Sequence, residues 1–341
     1  MSNDFFPLQA AVLSEDALGN YIKSEYFSQN TLLTCRLFYR SIHDIYQIIS
    51  SNEVFFYKLY RQGLREKAEI QAEVDLLNHL KLSDIQAVYP IAKKDGAYIG
   101  QFKTVFGNRY GVLYASVGVY NLDEIEETAQ LNEKLGSYVA SVHRAMDEFN
   151  IKLNRHDLDA HHFIDASISE IMRFAEIYNF DTDFLNIVAE KTKEKLRKLS
   201  TSKPEFGICH GDFYGGNVRI NENNNPVLFD FDFCGNGWRA YDISMYAYPF
   251  SMGCDPSKFG KREQRKSQFL NGYNKLRPMS ESEISSIVIF IPFRRIFNIG
   301  TLYISLLHNT WGDFNVVRNI EDDIINLKKW LDINPVLLFH I

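Results

Sequence analysis

Three polar side chains at short spacing are the part of this sequence best suited to chemistry. Asp212 and Asn217 lie five residues apart in the run CHGDFYGGN, and Asp230 follows thirteen residues later, after a short apolar stretch. A loop followed by a hairpin would bring the three together, and residues 223–226, NNNP, are typical of the hairpin turn. Two carboxylates and an amide at one point favour phosphoryl transfer, in which one carboxylate takes the proton of an attacking hydroxyl while the other polar groups hold Mg²⁺.

The elements that precede these side chains indicate an antiparallel sheet with one inserted helix. Ser14, followed by two acids, is typical of a helix start, and that helix is expected to reach about Tyr26. Runs rich in Leu, Ile, Phe and Tyr predict strands, and a change to helical apolar spacing predicts a helix. The predicted strands are 31–39, 44–50, 54–60, 97–105 and 109–117, and the predicted helix is 64–80.

After Tyr120 the apolar spacing is largely helical. The predicted helices are 123–149, 160–178, 181–199, 261–276, 281–308 and 320–331. Two short apolar runs, 206–209 and 227–233, interrupt them, with polar or glycine-rich loops around both. The chemistry is expected at this interruption, because a scaffold positions residues at strand ends and loops yet leaves them able to meet a ligand.

The motifs at this interruption resemble those of the aminoglycoside phosphotransferase and choline kinase family, a branch of the protein-kinase-like fold. The resemblance rests on the run HGD at 210–212 with Asn217, on Asp230 after an apolar strand, and on the run YDI at 241–243. It covers roughly residues 35–245. The long helices that follow resemble most the homoserine kinase-like and stress-kinase members.

Two upstream residues match the family in the same order. Lys58, on the third predicted strand, resembles its phosphate-binding lysine, and Glu73, on the predicted helix, resembles the ion-pair partner of that lysine. The resemblance implies that Lys58 neutralises nucleotide phosphates and that Glu73 holds it extended.

The resemblance implies a bilobal α+β, protein-kinase-like fold. Residues 1–118 would form a small antiparallel-sheet lobe, and residues 119–341 a large, mainly helical lobe. The protein would be a small-molecule kinase that uses ATP and Mg²⁺ as cofactors and passes the γ-phosphoryl group to a hydroxyl. ATP would lie between the lobes, with its adenine hydrogen-bonded by backbone groups from Ala115 to Val117.

Carried over residue by residue, the resemblance makes Asp212 the catalytic base, with Asn217 and Asp230 as the Mg²⁺ ligands. Asp242 would be structural. Its buried carboxylate would accept hydrogen bonds from the loop around His210 and so fix the geometry of the base.

Two positions depart from the family's pattern. The turn between the first two predicted strands, residues 39–44, contains no glycine, so phosphate binding is expected to use Ser41 and Lys58 more than loop amides. Asp232 stands where a protein kinase has glycine, and it is a candidate for a further, indirect metal ligand.

Two other functions fit parts of the sequence. Residues 235–240, GNGWRA, match the dinucleotide fingerprint of an NAD-dependent oxidoreductase, but Asp230 and Asp232 would crowd its pyrophosphate, and no further parallel strands are predicted. A regulatory Ser/Thr protein kinase of the same fold is the second alternative. Against it, no Ala-Pro-Glu anchor follows Asp230.

Composition and charge exclude several classes of protein. A chain that is 45% hydrophobic and 23% charged is globular, and its net charge of -6 argues against nucleic acid as a partner. Its 4 cysteines are far apart, which predicts a reduced, cytoplasmic protein. Arg294 and Arg295 interrupt the apolar run 284–308, so a buried core helix is expected there rather than a membrane span.

The distribution of charge bears on the phosphate acceptor. Basic and acidic residues are equal in number up to residue 120, so the whole acidic excess lies in 121–341. A negative field favours ammonium groups, and the predicted acceptor is an amine-bearing alcohol: an aminoglycoside-like antibiotic ahead of homoserine or choline. The acids expected to hold the amines are Asp157, Asp159, Asp313 and those in 123–127. A monomer or homodimer is expected, and His156, His161 and His162 are expected to be a polar helix start rather than a metal site.

Overall fold

The structure is a computed structural model that describes residues 12–51, 53–105, 107–116, 120–248 and 259–334. The chain divides into two compact units: Met1–Val74 with Tyr89–Ser116, and Asp75–Val88 with Val117–Ile341. Val117, one of the residues expected to contact adenine, lies outside the described residues.

The first unit is built on an antiparallel sheet of order β1-β2-β3-β6-β4, with β5 also paired to β6. Its strands are β1 (Leu33–Arg40), β2 (Asp44–Ser50), β3 (Glu53–Leu59), β4 (Pro90–Ile91), β5 (Ile99–Thr104) and β6 (Gly107–Ala115). Five of these match predicted strands to within a few residues. The sequence does not predict β4, because two residues are too few to show an alternating pattern.

Helix α1 (Glu15–Tyr26) completes the core of the first unit. Ser14 caps it as predicted, since its hydroxyl accepts a hydrogen bond from the Ala17 amide at 3.4 Å. Leu18 and Ile22 of α1 belong to the same buried apolar cluster as Tyr57 of β3. Burial of this apolar surface stabilises the strand that carries Lys58.

Helix α2 (Lys67–Leu82) confirms the helix predicted after the third strand. Ala72 and Leu76 on its predicted apolar face are buried, whereas Ala68 is exposed. Glu73 is also on the buried side, with only 1% of its surface exposed. A buried glutamate requires charged or hydrogen-bonding partners, so the surroundings of Glu73 are part of the functional question.

The second unit is mainly helical. Its α-helices are α3 (Ala129–Asp147), α4 (Ala166–Ala175), α5 (Thr182–Leu196), α6 (Arg239–Ala247), α7 (Phe259–Tyr273), α8 (Glu281–Ser286), α9 (Phe290–Phe297) and α10 (His308–Ile333). The break expected between 308 and 320 is present but shorter than predicted: α10 consists of two helical segments that meet at Gly312, whose φ of 72° and ψ of 164° are not helical. The described part of the chain also holds a helix that the sequence does not predict, α6.

Two glycines allow α3 and α7 to pack in direct backbone contact. A Cβ added at Gly136 of α3 would lie 1.9 Å from the Phe269 carbonyl oxygen, and one added at Gly272 of α7 would lie 1.8 Å from the Glu133 carbonyl oxygen. Any larger side chain at either position would force the helices apart. This close packing matters because α3 and α7 supply His143 and Tyr273, which support the loop around Asp212.

Short antiparallel strands carry that loop. They are β7 (Tyr120–Asn121), β8 (Phe206–Cys209), β9 (Val218–Ile220), β10 (Pro226–Leu228) and β11 (Gly235–Trp238), arranged as the sheets β10-β9-β7 and β11-β8. Strands β9 and β10 form the predicted hairpin. The loop with Asp212 connects β8 to β9, and Asp230 lies two residues after the end of β10.

The glycine pattern at 235–240 does not form a dinucleotide site. Strand β11 pairs antiparallel with β8, whereas a dinucleotide fingerprint needs a parallel strand leading into its helix. Packing explains the two glycines instead. A Cβ at Gly235 would lie 2.4 Å from the His156 carbonyl oxygen, and one at Gly237 would lie 2.9 Å from Leu158 Cβ.

The apolar run 284–308 is buried, as predicted. Among the described residues, one helical run, Glu281–Ile333, is long and apolar enough by length and composition to cross a membrane, and 78% of its most apolar window is buried inside the protein. Burial on this scale is typical of a core helix. Between α9 and α10 the helix widens into a π-helical segment, Asn298–Leu307.

Candidate active site

Asp242 anchors the loop that carries Asp212. Its Oδ2 accepts a hydrogen bond from the His210 amide at 2.7 Å, and its Oδ1 accepts one from the Gly211 amide at 2.8 Å. Gly211 has a φ of 82°, and a Cβ there would lie 2.0 Å from the Phe233 carbonyl oxygen. The tight turn before Asp212 therefore requires glycine and is held by a fully buried carboxylate.

His143 is the side-chain partner of Asp242 and does not follow from the sequence. Its Nε2 lies 3.1 Å from Asp242 Oδ2, and its Nδ1 lies 2.8 Å from the Tyr273 hydroxyl. Burial, followed by the charge of Arg239, lowers the pKa of His143 to about 4, so the ring is neutral at pH 7. Burial acts to raise the pKa of Asp242, but hydrogen bonds and nearby histidines outweigh it and hold that pKa below its ordinary value.

His210 links the loop to the strand that precedes Asp230. Its Nδ1 accepts a hydrogen bond from the Asp212 amide at 3.2 Å, and its Nε2 lies 3.0 Å from the Phe229 carbonyl oxygen. Since the carbonyl can only accept, Nε2 carries the proton. One imidazole thus fixes the backbone on both sides of the site.

Both carboxylate oxygens of Asp212 are held. Arg294 Nη2 donates to Oδ1 at 2.6 Å, and Asn217 Nδ2 donates to Oδ2 at 2.9 Å and to the Asp212 carbonyl at 2.9 Å. Burial raises the pKa of Asp212, and the charge of Asp230 raises it further, although Arg294 acts to lower it. The side chain remains 15% exposed, and each oxygen can accept one more hydrogen bond. These are the properties of an oriented and accessible base.

Asn217 and Asp230 offer oxygen atoms suited to a hard cation. The side-chain nitrogen of Asn217 donates to Asp212, which leaves the side-chain oxygen as the other polar atom of this side chain. The backbone amide of Phe229 donates to the backbone carbonyl of Asn217 at 3.1 Å. Asp230 is exposed and left-handed, with φ 61° and ψ 69°. Carboxylate and amide oxygens are ligands that Mg²⁺ accepts, so the donor set fits that ion.

Asp232, the candidate for a further metal ligand, has another partner. Its carboxylate is buried, and Oδ1 lies 3.8 Å from Arg155 Nη2. Arg155 also donates to the backbone carbonyl of Asp232. The carboxylate therefore serves to hold Arg155 against this turn.

Lys58 and Glu73 meet in the first unit, where Lys58 Nζ lies 3.5 Å from Glu73 Oε1 and both residues are buried. Ser41 lies in the turn between β1 and β2, where its amide donates to the His43 carbonyl at 3.1 Å. Ala115 ends β6 and pairs with Phe55 of β3. The structure thus brings Lys58 and Glu73 together.

Arg294 and Tyr241 are the functional candidates that sequence reasoning missed. Arg294 Nη1 donates to the Tyr241 hydroxyl at 2.8 Å, and the Tyr241 hydroxyl donates to the Gly211 carbonyl at 3.1 Å. A signal for Arg294 was present, since an arginine within an apolar core helix needs a buried acceptor. The sequence does not reveal which acceptor that is.

Several of the acids expected to hold substrate amines have partners within the protein. The pairs are Glu127 with Arg265, Asp157 with Asn236, Asp159 with His162, and Asp313 with Tyr178 and His308.

The rings of His156 and His162 lie 4.5 Å apart, and in the described ranges no group of three or more His, Cys, Asp or Glu side chains is placed to hold a metal ion.

Several known proteins with similar sequences or structures are small-molecule kinases by name. An amicoumacin kinase of Bacillus subtilis is 22% identical over 278 residues, which cover 79% of this chain and 80% of that protein. The solved structure of an amicoumacin kinase in complex with AMP-PNP, Ca²⁺ and Ami has a TM-score of 0.72 at 18% identity and covers 93% of both chains. A microcompartment-associated aminopropanol kinase has a TM-score of 0.70 at 20% identity, over 91% of this chain and 95% of that chain.

These likenesses show the protein-kinase-like fold that the motifs predicted. A sequence model of the APH phosphotransferase enzyme family matches residues 40–279, which is most of the chain and includes Lys58, Asp212 and Asp230. The resemblance stated from those motifs is confirmed. The protein belongs to the APH phosphotransferase enzyme family.

Proposed function

We propose that this protein transfers the γ-phosphoryl group of ATP, with Mg²⁺, to a hydroxyl group of a small amine-bearing molecule. The observation that carries the proposal is the double hold on Asp212, by Arg294 at 2.6 Å and by Asn217 at 2.9 Å. A carboxylate oriented in this way accepts the proton of an attacking alcohol. It also orients the oxygen of that alcohol towards the phosphorus.

Asp212 is the proposed base. Its raised pKa, caused first by burial, makes it a better proton acceptor than a solvated aspartate. Arg294 holds one oxygen, Asn217 holds the other, and the remaining lone pairs are available to the hydroxyl of the acceptor. His210 and Asp242 hold the backbone that carries the base.

Asn217 and Asp230 are the proposed metal ligands. When bound, Mg²⁺ neutralises charge on the phosphate oxygens. The exposed Asp230 carboxylate supplies the negative charge of the site, and the Asn217 amide oxygen supplies a neutral ligand. Lys58 is proposed to bind the nucleotide phosphates as a point charge, with Glu73 setting its position. Ser41 and the backbone of Ala115 and Val117 are the further proposed nucleotide contacts.

The amine-bearing acceptor is supported by two independent observations. The acidic excess of the chain lies entirely in residues 121–341, which contain Asp212 and Asp230. Two similar proteins carry the names amicoumacin kinase and aminopropanol kinase.

A coupled assay of ADP release tests the function. Purified protein with ATP and Mg²⁺ is screened against amino alcohols, aminoglycoside-like antibiotics and sugars, and each active amine is compared with its deaminated analogue. We expect turnover of at least one amine-bearing alcohol, preference over its deaminated analogue, and loss of the preference as salt screens charges over about 10 Å. Equal rates with the neutral analogues would overturn the claim that the acceptor bears an amine. Phosphorylation of casein with no small-molecule turnover would overturn the whole proposal.

A further inference from the structure

Four buried polar side chains of the first unit, Glu73 and three that contact it, form a cluster. Besides the contact with Lys58, Glu73 Oε2 accepts a hydrogen bond from the Tyr60 hydroxyl at 3.0 Å, and Oε1 accepts one from the Tyr114 hydroxyl at 3.3 Å. The two hydroxyl oxygens lie 3.3 Å apart. The exposed fractions are 6% for Lys58, 1% for Glu73, 1% for Tyr60 and 8% for Tyr114.

The tyrosines constrain Glu73 more closely than the lysine does. The Lys58 contact of 3.5 Å is at the long limit of a hydrogen bond, and the lysine ammonium is a point charge on a flexible stem. Both tyrosines are tied to the sheet. The Tyr60 amide donates to the Tyr110 carbonyl at 2.8 Å, and Tyr114 of β6 pairs with Phe56 of β3.

The Tyr114 hydroxyl remains a hydrogen-bond donor. Burial, followed by the charge of Glu73, raises the pKa of Tyr114 well above its ordinary value, so this hydroxyl keeps its proton at physiological pH. Any movement of Glu73 out of the cluster would break its hydrogen bonds with both buried hydroxyls and separate it from the Lys58 ammonium, at a cost in free energy.

We propose that Tyr60 and Tyr114 are positioning residues for nucleotide binding: they hold Glu73, and through it Lys58, in the phosphate-binding arrangement before a nucleotide arrives. This inference rests on the proposed function in one respect, that Lys58 binds the phosphates. Tyr114 also directly precedes Ala115, so the strand end proposed to contact adenine and the group that orients the lysine are adjacent in the chain.

The chain offers a matched control on the same strand. Tyr57 neighbours Lys58 and is completely buried, and among the described residues its hydroxyl forms no hydrogen bond to Glu73 or Lys58. In contrast, Tyr60→Phe and Tyr114→Phe each remove a hydroxyl that touches Glu73. Tyr60→Phe keeps the ring that lies 4.9 Å from Lys58 Nζ, so it does not remove that cation–π contact.

The test is calorimetric titration of a non-hydrolysable ATP analogue, with Mg²⁺, into the full chain, with Tm measured for every variant. We expect each single variant to bind the analogue about 3- to 10-fold more weakly, since a hydrogen bond to a charged group is removed. The double variant Y60F/Y114F should bind about 10- to 30-fold more weakly. Tyr57→Phe should bind as the wild type does. Equal weakening in Tyr57→Phe would assign the effect to packing and overturn the proposal.

A double-mutant cycle separates positioning from general loosening. In a Glu73→Gln background the tyrosine variants should change affinity by less than about twofold, because the carboxylate they act through is gone. If Y60F/Y114F binds with wild-type affinity and Lys58→Met binds more weakly, the role proposed for the tyrosines is overturned and the role of Lys58 stands. Unchanged binding in Lys58→Met would overturn the role of Lys58 in the proposed function. If the double variant has a lower Tm, single variants with wild-type Tm decide the outcome.

Discussion

The guanidinium of Arg294 donates to Asp212 Oδ1 at 2.6 Å, although the two residues are 82 positions apart in the chain. The same side chain donates to the Tyr241 hydroxyl at 2.8 Å and to the Gly211 carbonyl at 3.4 Å. One buried arginine on α9 therefore holds both the carboxylate and the backbone of the loop. Arg294 can act through its charge, which lowers the pKa of the base, or through its planar geometry, which orients it.

Substitutions of Arg294 separate charge from geometry. Arg294→Met removes the positive charge that opposes the raised pKa of Asp212, so that pKa rises further and the base is protonated up to a higher pH. We expect the acid limb of kcat/KM to move to higher pH in Arg294→Met. Arg294→Lys keeps the charge but cannot contact Asp212 and Tyr241 at once through a planar guanidinium. It should lower kcat and shift the acid limb of kcat/KM less than Arg294→Met does. Arg295→Lys, which alters the neighbouring pair with Asp323, is the control and should leave the limb in place.

Asp212→Asn should lower kcat by about 10² or more while nucleotide binding is retained, because the amide can still accept a hydrogen bond but cannot take a proton. Steady-state kinetics and calorimetry with Mg²⁺-ATP measure the two effects. Asp183→Asn, an exposed acid in the first turn of α5, is the control for loss of one negative charge. An Asp212→Asn variant that retains half the activity would contradict the assignment of the base.

Asp230→Ala and Asp230→Asn should both lose Mg²⁺-dependent nucleotide binding, since each leaves the proposed metal site without its exposed carboxylate. Alanine at φ 61° also adds backbone strain, of about 1 kcal/mol, whereas asparagine tolerates this conformation. Asn224→Ala, at φ 56° in the exposed β9–β10 turn, carries the same kind of strain as the control and should leave binding intact. Tight binding of Mg²⁺-ATP to Asp230→Asn in calorimetry would show that the metal lies elsewhere.

The buried His143 predicts a loss of stability in acid. Its folded-state pKa of about 4 lies below the ordinary value of 6.5, so the unfolded chain binds the proton first as pH falls. The contribution of His143 to the free energy of unfolding is complete above pH 6.5. It decreases as the pH falls to about 4, by about 3 kcal/mol in total.

His143→Gln, which is neutral at every pH, should be less stable at pH 7 but should lose less stability across this range. Urea unfolding at several pH values measures the difference. Parallel slopes for wild type and variant between pH 6.5 and 4 would exclude His143 as the titrating group.

The sequence by itself determined the family, the fold class and the strands of the first unit. These are written in local patterns: HGD and Asn217 within one loop, Asp230 after a short apolar run, and runs rich in Leu, Ile, Phe and Tyr in the strands. The cap at Ser14 and the hairpin at 223–226 are equally local, because turn and cap chemistry acts over three or four residues.

Only the tertiary structure decided which groups surround the proposed functional side chains. Asp242 meets His143 across 99 positions, and Tyr114 meets Glu73 across 41. A buried charged group in a sequence announces that it needs a partner, but the identity of the partner depends on which elements pack together. The helix after Glu281 shows the same limit: its composition indicates burial, while the contact of Arg294 with Asp212 arises from long-range packing that no local period encodes.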